Sequence, residues 1–324
     1  MRRFRVLRHL IAICSSVAAV ISVSSYVFAS EPRIPVIEKP WIRIASNPDL
    51  GDLTSDKQEP VDFAVWQAAD GTWQLWSCIR KTKEVGNTRL LHRWEGKDLT
   101  APDWTPKGIA MRADTKLGEK AGGLQAPHVV QHDGQYVMLY GSWDDICAAT
   151  SSDGKTFTRR LNAEGKPPQF RGTELVHPRD AMLISINGLW HCYYTAHGGS
   201  VDIGKAYCRT SKDLIHWGDE HLVAAGGRSG SGKYSAECPY VVELEPGEFY
   251  LFRTQKYGKA ARTCVYHSKN PLDFGIDNDK DHFVCELPVA APEIIRHNGQ
   301  YYMVALRPAL DGIQLAPLKW EVTQ

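Results

Sequence analysis

Apolar and β-branched residues recur along the chain in short runs broken by Gly, Asn, Asp and Pro, a pattern of strands and turns with almost no helical spacing. Five segments share one layout: a β-rich run, a turn glycine, an aromatic two residues later, and a second β-rich run. They are Val61–Trp66 before Gly71 and Trp73, Ala126–Val130 before Gly134 and Tyr136, and Asp180–Ile184 before Gly188 and Trp190. The last two are Pro239–Val242 before Gly247 and Phe249, and Pro292–Ile295 before Gly299 and Tyr301. These glycines lie 63, 54, 59 and 52 residues apart, a little more than a common four-stranded propeller blade needs.

A second feature runs in step with the first. Lys97-Asp98-Leu99 precedes Trp104, Ser152-Asp153-Gly154 precedes Phe157, Lys212-Asp213-Leu214 precedes Trp217, and Lys269-Asn270-Pro271 precedes Phe274. Asp or Asn in such a turn accepts local backbone hydrogen bonds, and the following aromatic can pack between repeats. Two periodic features in register predict an all-β fold, a single five-bladed β-propeller with four antiparallel strands per blade. The fifth unit has room for only three strands before Gln324, so Trp41–Ile44 is expected to supply the fourth and close the ring.

The ends and the composition refine this picture. Residues 1–29 read as a secretory signal peptide, with Arg2, Arg3, Arg5 and Arg8 ahead of an apolar stretch and cleavage expected after Ala29. Residues 30–324 are then the propeller domain, secreted or periplasmic, with no membrane span in the mature chain. Lys and Arg number 38 against 37 Asp and Glu, with no long run of either sign, which points away from nucleic acid and toward a neutral partner such as an oligosaccharide or polysaccharide. A monomer is expected. Of eight cysteines, Cys14 falls in the leader; Cys192 with Cys208, and Cys264 with Cys285, are placed so that they could form disulfides.

In a propeller the innermost strand of each blade ends near the axis, so equivalent positions on different blades converge. Those positions hold Asp62, Gln125, Arg179 with Asp180, Glu237, and Ala290 with Ala291; His128 and Glu293 follow closely. Three carboxylates from separate blades suit glycoside hydrolysis: one protonates the leaving oxygen, one attacks or activates water, and a third separates their pKa values. Arg179 could bind ring hydroxyls or keep Asp180 ionised. Arg253 is a further cation for substrate, and Trp66, Trp143 and Trp190 could stack on a sugar, Trp190 being more at home in the core. His128 could touch a sugar or a metal, and the glycine run 226–232 reads as a flexible rim.

The motifs resemble known families. Arg179-Asp180 and Glu237-Cys238-Pro239 are similar to the RDP and ECP motifs of glycoside hydrolase family 32, and Ser211–Trp217 to a turn shared with family 43. Gln125-Ala126-Pro127 resembles the blade-two opening of these five-bladed enzymes. Ala181 replaces the Pro of RDP, and no β-sandwich fits after Trp320, so the layout is nearer family 43. The resemblance implies Asp62 as nucleophile or base, Asp180 as transition-state stabiliser or pKa modulator, and Glu237 as general acid. It implies no required cofactor, and it alone admits a structural calcium. Two readings compete: a noncatalytic carbohydrate-binding propeller, and a phosphorylase like those of family 130, which needs more pocket cations than Arg179 and Arg253.

Overall fold

The computed structural model describes residues 31–171, 175–198 and 201–322. The leader expected over residues 1–29 lies outside them. One compact unit, Pro32–Gln324, contains five antiparallel sheets that form a five-bladed β-propeller. Among the described residues, helical structure amounts to four single 3-10 turns and no helix is long and apolar enough to cross a membrane.

Blade one runs outward from the axis through Glu59–Gln67, Trp73–Arg80, Leu90–Gly96 and Thr105–Met111. Blade two has Leu124–His132, Gln135–Ser142 and Ile146–Ser151, with its outer strand split into Thr158–Arg159 and Pro168–Phe170. Blade three follows as Leu175–Ile186, Leu189–Gly198, Val201–Ser211 and His221–Gly226, extended by a parallel pairing with Ile276–Asp277. Blade four is Glu237–Glu245, Glu248–Lys256, Arg262–Ser268 and Phe283–Leu287. Blade five has Glu293–His297, Gln300–Leu306 and Gly312–Val322.

The ring closes through the N-terminal segment. Ile42–Ser46 pairs with Gly312–Leu315, as expected, while Arg33–Ile37 pairs with Leu318–Val322, so two short strands share one long partner. Ile44 and Ala45 are thereby taken into the core.

Both repeated turns form as their residues require. Gly71, Gly134, Gly188, Gly247 and Gly299 all take φ between 76° and 84°, open to glycine and costly for other residues. Asp98, Asp153 and Asp213 each accept hydrogen bonds from backbone N–H groups two or three residues on, and Asn270 does the same for Leu272. The aromatic that follows packs between blades: Phe157 of blade two meets Trp66 and Trp76 of blade one at 5.9 and 5.2 Å between ring centres. Phe157 is half-buried there, and full burial of such a side chain contributes about 1.5–3 kcal/mol.

The cysteine expectation is corrected. All seven cysteines among the described residues are free. Register is the reason: Cys208 lies opposite Tyr193, and Cys285 opposite Val265, each one residue away from the proposed partner. A one-residue offset puts the two thiols on opposite faces of the sheet.

Candidate active site

Every inner strand is distorted at the same place. At the equivalent point of each blade a residue adopts a left-handed backbone: Asp62 (φ 38°), Ala126 (28°), Asp180 (57°), Cys238 (46°) and Ala291 (49°). In blades one to four an extra residue is inserted there relative to the neighbouring strand. A bulge of this kind bends a strand and re-aims its side chains, and non-glycine residues held at positive φ concentrate at functional sites.

The bulges sort the expected residues into levels. Asp62, Asp180 and Cys238 share the bulge position itself. Gln125, Arg179 and Glu237 stand one residue before it, and His128, Tyr240 and Glu293 two residues after it. Asp62 and Glu237 are therefore not equivalent positions, although both reach the same space. A cavity of about 580 Å³ opens above the bulges, with Asp62, Gln125, Trp143, Arg179 and Glu237 on its wall. Beneath it, at the axis, lies a space of about 30 Å³ lined by Asp62, His128, Asp180, Cys238 and Glu293 among others.

Asp62 accepts hydrogen bonds from the Tyr257 hydroxyl at 3.0 Å and the Cys238 thiol at 3.3 Å. Asp180 accepts the Cys238 backbone N–H at 3.0 Å through Oδ2, while its buried Oδ1 has no protein donor. Ligand atoms of Asp62, Asp180 and Cys238 all lie within 4.8 Å of one another. Burial, together with the neighbouring charges of Asp62 and Glu237, pushes the Asp180 carboxyl up to about 8. Arg179, itself buried, grips Glu237 with two nitrogens, Nε at 3.2 Å and Nη2 closer, and donates Nη1 to the His177 carbonyl at 2.9 Å. Its Nε is 3.9 Å from Asp180. Of the two roles open to Arg179, keeping Asp180 ionised does not hold: its two-pronged contact goes to Glu237, and the remaining attraction does not offset the desolvation of Asp180.

Several expected residues take other places. Arg253 lies outside the cavity wall: it is 1% exposed and donates to the carbonyls of Ser235 and Gly226. His128 sits at the axis, its Nε2 facing the Leu183 carbonyl at 3.3 Å and its Nδ1 3.7 Å from Glu293, which also accepts the Val65 N–H at 3.0 Å. Trp66 packs in the core, and Trp190 is bonded to His132 away from the cavity, leaving Trp143 as the wall tryptophan. The run 226–232 is pinned, with Arg228 N–H on Asp279 and the Ser229 hydroxyl on that of Tyr266, both at 2.7 Å. Calcium takes six to eight oxygen ligands. Asp62, Asp180 and Cys238 offer two carboxylates and a thiol that burial holds protonated, a set that does not fit it.

Arg80, Arg89, His177, His197, Lys233, Tyr234, Gln255 and Tyr257 complete the wall without having been expected there. Several follow a rule visible in hindsight. The second strand of each blade also ends near the axis, and stepping two residues past the partner of Val61, Gln125 or Arg179 gives Arg80, Trp143 and His197. In blade four a bulge after Thr254 delays that position to Tyr257.

No protein-family model matches the chain, and no curated protein matches its sequence. Solved structures do match in shape. A thermostable family-43 glycoside hydrolase aligns over 85% of this chain and 92% of its own, with a TM-score of 0.61 and 17% identity. The fold is that of the five-bladed propeller glycoside hydrolases. An endo-arabinase from Bacteroides thetaiotaomicron covers 80% of this chain and 94% of its own (TM-score 0.60, 15% identity). A family 117 glycoside hydrolase produced by the marine bacterium Zobellia galactanivorans covers 90% and 91% (0.58, 10%).

Proposed function

We propose that this propeller is a glycosidase that cleaves O-glycosidic bonds in oligo- or polysaccharides. The carrying observation is that Asp62 and Glu237, from two different blades, line one large cavity, while Asp180 of a third blade lies beside Asp62 in the axial space beneath it. Glycoside-hydrolase relatives in shape support the reading, as does Gln125 on the wall, whose buried amide oxygen lacks a protein donor that a sugar hydroxyl can supply.

The electrostatics suggest how the roles divide. In the free site burial and neighbouring charge hold a proton on Asp180, while Arg179 grips Glu237 with two nitrogens. Arg179 Nε also lies 3.9 Å from Asp180, so one guanidinium stands beside both carboxyl groups. Glu237, as general acid, gives a proton to the leaving oxygen, and Asp62, hydrogen-bonded by Tyr257, attacks the anomeric carbon or removes a proton from water. The reading requires only protons and water.

Leaving-group dependence tests it. Glu237→Gln should lose about 10²–10⁴-fold in kcat/KM on a polysaccharide, whose alcohol leaving group needs a proton, but far less on a dinitrophenyl glycoside, whose leaving group does not. Asp62→Asn should lose both activities. Equal losses of Glu237→Gln on the two substrates would remove it from the acid role.

A further inference from the structure

We propose that the sugar this cavity binds carries an oxyanion, a carboxylate or a sulfate ester, and that Arg89 is its seat. The glycosidase reading enters only in taking the ligand to be a sugar. Three arginines, Arg80, Arg89 and Arg179, reach the wall, against the carboxylates of Asp62 and Glu237. Arg179 is matched by Glu237, and Arg80 by Glu59 at 2.7 Å. Arg89 has no acidic partner among the described residues; its guanidinium lies 5.1 Å from the centre of the Trp143 ring.

The surroundings of Arg89 are rigidly built. It ends the loop that follows the second strand of blade one, and that loop is docked on the connection leading into blade two. Asn87 N–H donates to the Ala121 carbonyl at 2.9 Å and Arg89 N–H to that of Gly122 at 2.8 Å. At Gly86 and Gly122 the two backbones approach so closely that an added Cβ would lie 2.2 Å from the Ala121 carbonyl and 2.4 Å from that of Val85. Glu84, buried in the same loop, is gripped by two nitrogens of Arg112. Trp143 is fixed from its other neighbours, with the His177 Nδ1–H donating to its carbonyl at 2.8 Å and the His177 ring lying edge-on to its own at 4.7 Å.

A guanidinium held by stacking keeps its fork of N–H donors for a planar or tetrahedral oxyanion, which it binds through two parallel hydrogen bonds. A neutral glycan gives that fork no charged partner.

Affinity electrophoresis of the intact protein tests the proposal, with gels containing polygalacturonate, its carboxyl-reduced form, a sulfated galactan, or its desulfated form. The expected result is a Kd about tenfold lower for at least one charged polymer than for its neutral counterpart. The pair that shows it tells carboxylate from sulfate. Arg89→Gln should abolish the preference, Arg89→Lys should keep part of it, and the exposed Lys57→Gln should leave it intact, all with unchanged melting temperatures. Equal binding of both members of each pair, preference that survives Arg89→Gln, or no binding of any charged polymer would overturn it. So would release of sugar phosphate when inorganic phosphate is supplied, which would give the cations to a phosphate co-substrate. Bond cleavage is read separately: charge-selective binding without cleavage upholds this proposal while defeating the glycosidase reading, and equal cleavage of charged and neutral polymers does the reverse.

Discussion

Asp180 faces the axial space rather than the substrate cavity, yet it is the residue through which pH should act on the whole protein. Its carboxyl is raised from an ordinary value of 3.8 to about 8, so above pH 4 the folded protein holds a proton that the unfolded chain releases. Stability from this group is therefore complete below about pH 4 and is lost as pH rises through about 8. Asp180→Asn stays neutral at every pH. At pH 8 the variant should melt about 3 °C or more above the parent, with the gap closing toward pH 4, while activity falls. Differential scanning calorimetry across that range checks it, and a gap independent of pH would show that Asp180 is not the titrating group.

Among the elements, the N-terminal strands have the clearest structural role. Arg33–Ile37 and Ile42–Ser46 cover the outer edge of Gly312–Val322, which would otherwise expose unpaired backbone along blade five. Removing residues 31–46 should lower the melting temperature by about 10 °C or more, or leave the protein insoluble. An unchanged transition would mean that the ring holds without them. The second of these strands was legible from the sequence, because the fifth repeat is one strand short and Ile42-Arg43-Ile44 alternates as an edge strand should. The first was not, since Arg33-Ile34-Pro35-Val36-Ile37 is short, contains proline and belongs to no repeat. The split outer strand of blade two and the parallel pairing in blade three escaped for a similar reason: they depend on long connections whose course no periodicity describes.

Over the whole molecule, the radial geometry was legible because it needs only repeat and register: glycine turns count the blades, and equivalent inner-strand positions must converge. That recovered Asp62, Gln125, Arg179, Asp180 and Glu237, while the bulge that places Asp62 and Glu237 at different levels is a backbone feature without a residue signature. Tyr257 and Arg80 come from second-strand ends, where the repeat carries no common residue, and Arg89 from a loop positioned by contacts between blades. If the three carboxylates form one catalytic unit, their losses cannot multiply. The most direct measurement is kcat/KM on a polysaccharide substrate for Asp62→Asn, Glu237→Gln and the double variant, all folded as judged by melting. The double variant is predicted to be no worse than the poorer single one, each single loss being about 10²-fold or more. Losses that multiply in the double variant, or single variants that keep near-parental activity, would contradict a shared site.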